Sequence, residues 1–216
     1  MSQPDYFKTH YYTNVRQEML DFVPLDAARI LEVGCGEGAF GRQLMQRQGA
    51  QVWGIEPNAA AEKIAATQLF KTENGFFGET IAAPRNHFDC LVFNDVLEHM
   101  ENPWGALELA KSFLRDDKSV VVASIPNFRY WDNMRELLFD KDFRYADAGI
   151  LDRTHLRFFT RKSIGDFLTQ AGYEILSIAG INPTRSRKFK LVNLALLNSV
   201  SDMRFMQFGV VARPKR

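Results

Sequence analysis

Between Arg29 and Glu56 the chain reads "RILEVGCGEGAFGRQLMQRQGAQVWGIE", and no other stretch restricts the fold as much. "RILEV" and "QVWGIE" are short apolar runs of strand type, and "FGRQLMQRQG" between them carries a helical pattern that stops at Gly49. Two strands joined through a helix lie parallel, and the crossover onto a parallel sheet is right-handed. The glycines fall in the turn from the first strand to the helix, where backbone N–H groups and the positive end of a helix dipole meet a ligand. Gly36, Gly38 and Gly41 satisfy the spacing G-x-G-x-x-G, with an acid, Glu56, twenty residues beyond Gly36.

The alternation continues downstream. "PNAAAEKIAAT" follows the second strand as a helix opened by Pro57 and Asn58. "GFFGE" (75–79) is the candidate third strand, and "FDCLVF" (88–93) is an apolar run of the kind buried on both faces of a parallel sheet. Next, Asn102 caps a helix with Pro103 in its first turn and Leu107, Ala110 and Leu114 on one face. "SVVVASIPN" is the fifth strand. Beyond a polar and aromatic segment at 127–159, Ile164, Phe167, Leu168 and Ala171 line a helix that Gly172 ends. "YEILSIA" and "FMQFGVVA" supply the last two strands, with a probe of helical pattern, "KLVNLALLNSV", between them. Ahead of the core, Val15, Met19 and Phe22 or Val23 share a helical face that Pro24 closes. The expected fold is a doubly wound, seven-stranded α/β sheet, mostly parallel with an antiparallel closing strand, plus helical insertions forming a cap.

We read residues 1–216 as one domain: an N-terminal lid over 1–28, a ligand-binding core over 29–126, an insertion over 127–160, and closing elements over 161–216 with a basic insertion at 180–204. With 46% hydrophobic residues, 25% charged residues and 18 Phe, the chain has ample apolar area for one core. A net charge of +1 provides no overall field for nucleic acid or an anionic membrane, so charge-driven recognition must be local. No apolar run approaches the roughly 20 residues that span a bilayer, and "MSQPDYFKTHYY" lacks a signal-peptide apolar segment, so a cytoplasmic location is expected. Cys35 and Cys90 show neither metal-ligand nor disulfide spacing and read as packing residues; no metal site is expected.

The glycine turn by itself admits more than one cofactor, and the charges beside it discriminate. A dinucleotide would lay a pyrophosphate between Glu32 and Glu37, each opposing it by about 2–3 kcal/mol per charge pair at 6 Å and an effective dielectric near 20. S-adenosylmethionine presents a cationic amine and a cationic sulfonium, which such acids attract. Glu56 suits a ribose diol in either case.

"ILEVGCGEGAFGRQL", "VWGIEPN" and "FDCLVFNDVLEHMENPW" resemble the first, second and fourth motifs of class I S-adenosylmethionine-dependent methyltransferases. Within them the chain is similar to small enzymes with a Leu-Glu-His signature, here Leu97-Glu98-His99, a group that includes ubiquinone-biosynthesis O-methyltransferases. "SIPNFRYW" and "ILDRTHLRFFTRKSI" look like a subset associated with surface-polysaccharide assembly. The resemblance covers roughly residues 10–180 and implies a Rossmann-like fold, S-adenosyl-L-methionine as cofactor and a small-molecule acceptor. It implies that Gly34, Gly36 and Gly38 form the donor loop, that Glu32 holds the methionine amine and that Glu56 holds the ribose. Glu79 is the acid nearest the adenine position, and Asn94 and Asp95 line the methionine side. Tyr11, Tyr12 and Arg16 fall where a lid contacts the donor, with Arg16 facing its carboxylate.

Methyl transfer needs a base only when the acceptor is a weakly acidic hydroxyl. His155, flanked by Arg153 and Arg157 with Asp152 near enough to orient it, is one candidate; the alternative is an ion-paired clasp in which it is structural. His99, just beyond the fourth strand, is the other, against a helix-start role beside Glu98 or Glu101. His87 and His10 read as incidental. Phe128, Tyr130, Trp131, Phe143 and Tyr145 either wall an acceptor pocket or form the core of a cap. Arg185, Arg187, Lys188 and Lys190 either hold a phosphate-bearing acceptor or lie in a solvated loop, and without a groove or stacking platform they do not make a nucleic-acid site. The rival readings are a nicotinamide-dependent oxidoreductase, which lacks a Tyr-x-x-x-Lys pair after the fifth strand, and a donor-binding subunit without catalysis. An N- or C-methyltransferase is a further alternative.

Overall fold

The computed structural model describes residues 15–215. Seven strands form one sheet in the order β3-β2-β1-β4-β5-β7-β6. These are β1 (Arg29–Val33), β2 (Gln51–Glu56), β3 (Lys71–Asn74), β4 (Cys90–Asn94), β5 (Val120–Pro126), β6 (Tyr173–Pro183) and β7 (Phe205–Pro214). β1 to β5 pair in parallel, while β7 runs antiparallel to both β5 and β6. The expected mixed sheet is therefore the observed one.

The central strands are buried on both faces, and alternation splits their side chains between two cores. Leu31, Val33, Ile55, Leu91, Phe93, Val121 and Ala123 face one side. There they meet Leu107 and Ala110 of α3 (Pro103–Ala110) and Ile164, Phe167 and Leu168 of α5 (Arg161–Gln170). Ile30, Val52, Cys90, Val92 and Val122 face the other, covered by Phe40 and Leu44 of α1 (Ala39–Gln48), Ala65 of α2 (Ala59–Ala65), and Met19. Three helices start at a capping side chain: Asn58, Asn102 and Thr160 accept N–H groups of α2, α3 and α5.

Three expectations are corrected. The third strand is not "GFFGE" but Lys71–Asn74, and its residues are polar because it forms the sheet edge and has little to bury. The apolar residues that suggested a strand lie in the following loop, where Phe77 packs edge-on to Phe93, 5.6 Å between ring centroids. The N-terminal helix is a single 3-10 segment, Gln17–Phe22, preceded by Arg16 at φ 50 and followed by extended backbone at Val23. The helix of the second insertion, α6 (Arg187–Ala195), starts earlier than its apolar pattern because the Ser186 side chain accepts the Phe189 N–H at 3.2 Å.

The two insertions meet each other. Trp131, opening α4 (Trp131–Arg135), forms a small core with Phe189 of α6 and Met203. Fully buried Asn127 donates its amide to the carbonyls of Asp202 and Phe205, both at 2.9 Å, and Arg129 pairs with Asp202 at 2.7 Å. Removing that amide leaves two carbonyls without their donor, so Asn127→Ala is expected to cost about 2–3 kcal/mol, read as a lower midpoint in urea denaturation.

Candidate active site

A cavity of about 1160 Å³ opens at the carboxyl ends of β1, β2 and β4, where strand order reverses and a doubly wound sheet leaves a crevice. The glycine turn forms its floor. Gly34 sits at φ 71, and a Cβ there would lie 2.7 Å from the Val96 side chain, so both backbone and space require glycine. Gly38 at φ 84 turns the chain into α1. Gly41 serves differently: a Cβ on it would lie 2.7 Å from Oε2 of Glu32, so the bare helix face makes room for that carboxyl.

Glu32 lines the cavity yet is only 2% exposed, and its Oε2 has no hydrogen-bond partner. Burial drives its pKa up to about 8, the Gly41 N–H partly offsetting this and Glu56 adding to it. Glu56 is also buried, but both its oxygens are engaged: Oε2 accepts the Gly36 N–H and Oε1 the Asn58 N–H, each at 2.9 Å. It thus fixes the glycine turn to the start of α2, a role its position in the sequence does not reveal. Asn94 lines the same cavity with both amide atoms buried and unpartnered.

Asp95, at φ 53, accepts the Ser124 hydroxyl at 2.9 Å and the Gln207 amide at 2.8 Å and is paired with Arg16. Arg16, expected to face a ligand carboxylate, lines the cavity but is held by Asp95, by Glu18 at 3.1 Å and by Gln207 at 3.2 Å. Glu79 lies on the cavity wall in the loop after β3, and its largely exposed carboxylate pairs with Arg85 at 3.0 Å. Beside it Phe76, 82% exposed, offers the cavity an aromatic face that the sequence reading absorbed into a strand. Tyr11, Tyr12 and His10 lie outside the described residues.

The histidines separate clearly. His99 lines the cavity; its Nδ1 lies 3.2 Å from the Thr154 carbonyl and 3.1 Å from the Thr154 hydroxyl. A carbonyl only accepts, so Nδ1 carries the proton and Nε2 is the basic nitrogen. Burial, and then the neighbouring His155, lower its pKa below the ordinary histidine value. His155 is not in the cavity wall: it is 9% exposed, donates from Nδ1 to the Ile150 carbonyl at 2.9 Å, and stacks edge-on behind His99 at 4.6 Å. Asp152 does not orient it, because that carboxylate is taken by the Thr154 N–H and hydroxyl at 2.8 and 2.7 Å. Arg153 pairs with Asp147 instead. His87 stands in a turn beside Arg29, away from the cavity.

Glu98 was the residue hardest to see from sequence. It is 1% exposed, both carboxyl oxygens lack hydrogen-bond partners, and burial pushes its pKa up to about 8. Nε2 of His155 stands 4.0 Å from its Oε1. One ligand atom each from Glu98, His99 and His155 fall within 4.8 Å of one another, a nitrogen–oxygen set that could hold one cation and that the absence of cysteine spacing did not anticipate. Of the first-insertion aromatics, none lines this cavity: Phe128, Phe143 and Tyr145 stack on one another and on Phe158, the packing of a cap.

Comparison with known sequences decides the family: the pattern of the methyltransferase domain matches residues 7–178. The chain belongs to that family. A ubiquinone biosynthesis O-methyltransferase of Xylella fastidiosa is 31% identical over 111 residues, 48% of this chain and 44% of that protein. The chain thus spans less than half of that relative; against a ubiquinone biosynthesis O-methyltransferase of Cereibacter sphaeroides, 22% identical, the match takes in 82% of this chain and 72% of the other. Among solved structures, a SAM-dependent methyltransferase from Archaeoglobus fulgidus superposes with a TM-score of 0.69 at 16% identity, over 98% of this chain and all of that one. A Thermotoga maritima structure described as a possible histamine N-methyltransferase gives 0.67 at 15%, over 98% and 95%. These likenesses are of fold.

The donor of this methyltransferase family is S-adenosylmethionine, and the cavity fits it on its own chemistry. A buried carboxyl with an unpartnered oxygen at Glu32 suits an amine, the unpartnered Asn94 amide offers a donor and an acceptor, and Arg16, the one Lys or Arg lining the cavity among the described residues, is paired with Asp95 and Glu18. At pH 7 the Glu32 carboxyl is mostly protonated, so a ligand amine that favours its ionised form must displace a proton. Binding of S-adenosylhomocysteine is therefore expected to release a proton below pH 8 and to strengthen with pH by up to about tenfold per unit until it levels off near 8. Calorimetry in buffers of different ionisation heat measures both effects, and Glu32→Gln removes them.

Proposed function

We propose that this chain transfers a methyl group from S-adenosylmethionine to a hydroxyl oxygen of a small-molecule acceptor, with His99 as the base. The observation that carries the reading is the position of His99: among the described histidines it alone lines the cavity, in the tautomer that leaves Nε2 basic. The curated relatives named as O-methyltransferases support oxygen as the atom methylated. A hydroxyl of a sugar or secondary metabolite, the class suggested by the resemblance of the "DRTHLRFF" segment, fits the same chemistry, and a cytoplasmic setting accords with the lack of a membrane-spanning helix among the described residues.

The donor supplies an electrophilic methyl on a sulfonium, and the protein contributes alignment, water exclusion and a proton acceptor. Glu32 and Asn94 hold the amino-acid end, the glycine turn braced by Glu56 brings the backbone close, and the loop with Phe76 and Glu79 closes the far side. As the acceptor oxygen bonds to the methyl carbon, the carbon–sulfur bond would break with its electron pair returning to sulfur to leave a neutral thioether, and the hydroxyl proton would pass to Nε2 of His99. Burial keeps that imidazole neutral at pH 7, and Thr154, itself held by Asp152, fixes the ring. His155 acts through His99 by packing behind it and is a positioning residue.

Because the His99 pKa is lowered, its neutral form is lost only below the ordinary value of 6.5: the rate should fall on the acid side with an apparent pKa under 6.5 and stay flat through neutrality. His99→Ala should lower kcat by about 10²–10⁴-fold, abolish that acid limb and leave S-adenosylhomocysteine affinity unchanged. A full rate in His99→Ala combined with loss in His155→Ala would overturn the assignment.

A further inference from the structure

A second cavity, of about 460 Å³, lies between the two insertions and is lined in part by Tyr130, Thr184, Arg185, Lys190 and Arg204. Its lining holds three cations and no carboxylate. Among the described residues none of the three is in an ion pair, although arginines elsewhere, such as Arg85, Arg129, Arg153 and Arg213, find acids. Residues 184–200 carry four cations and no acid in a chain whose net charge is only +1, so the positive field is local. The start of α6, capped by Ser186, adds the positive end of its dipole next to Arg185.

The first cavity has the opposite character: Glu18, Glu56, Glu79, Asp95 and Glu101 line it against one arginine, Arg16, and the carboxyl of Glu32 adds no repulsion of a cation. Asn182 and Met206 belong to both linings, so the two cavities adjoin across the β6–β7 pair. A molecule reaching from one into the other would experience a field that repels an anion from the acidic side and holds it on the basic side. A cationic donor and an anionic acceptor are sorted by the same gradient.

We propose that the second cavity binds a phosphate or diphosphate group of the acceptor and thereby points the acceptor's hydroxyl past Asn182 and Met206 toward the donor cavity. The proposal rests on the methyl-transfer reading and names the substrate class for it. Arg185 and Arg204 supply forked donors suited to phosphate oxygens, Lys190 a point charge, and the buried Tyr130 a phenol. Recognition by unpaired, solvent-accessible cations is salt-sensitive.

Inorganic pyrophosphate is the probe, titrated calorimetrically into the full chain at low salt. Saturable binding is expected, weakened by about a hundredfold in the double variant Arg185→Ala/Lys190→Ala, since each charge-assisted contact contributes about tenfold. Arg204→Ala should weaken it about tenfold. Uridine diphosphate and phosphatidylglycerol vesicles distinguish a soluble phosphate from a lipid headgroup: binding of either that the double variant loses supports the site and names its source. No pyrophosphate or vesicle binding, or binding that the variants do not weaken, overturns the proposal while unchanged S-adenosylhomocysteine affinity leaves the donor site standing. Failure of the wild-type chain to bind S-adenosylhomocysteine overturns the methyl-transfer reading and this proposal with it.

Discussion

Two carboxyl groups on adjacent parallel strands, Glu32 and Glu56, are both inside the protein, and much of the surrounding architecture answers the cost of keeping them there. Glu56 is satisfied by main-chain donors from both flanks, so its charge is spent on the shape of the glycine turn. Glu32 is left incomplete: Gly41 clears space for it, burial raises its pKa, and one oxygen remains without a partner. A neutral acid waiting for a cation stores its ligand preference as an unmet hydrogen bond. The same incompleteness recurs at Asn94, on the next strand across.

That Glu32, Glu56, Asn94 and Asp95 would share one cavity was legible because they lie at strand ends, where periodicity fixes position. Strands ending at Val33 and Glu56 put Glu32 and Glu56 near the carboxyl edge of a parallel sheet, whatever else the chain does. The third strand was illegible for the converse reason. "KTEN" at the sheet edge carries no apolar signal, while the phenylalanines beyond it pack from a loop and imitate one.

The surroundings of His99 were harder to read, since their geometry comes from contacts between segments far apart in the chain. Sequence proximity suggested Asp152 as the partner of His155, but the turn directs that carboxylate to Thr154, and Thr154 in turn serves His99, 55 residues away. Glu98 sat within a recognised signature and still gave no hint of being buried without a partner. The basic segment left a phosphate site and a solvated loop both open; the fold places two of its cations, Arg185 and Lys190, around one cavity with Arg204, which the sequence did not connect to them.

The carbonyl of Glu98 accepts main-chain N–H groups from both Leu156 and Arg157, at 2.9 and 3.1 Å. The first insertion is therefore stitched to the turn after β4 by main-chain bonds. The segment that carries His155 is thus held against the turn that carries His99 by the main chain itself.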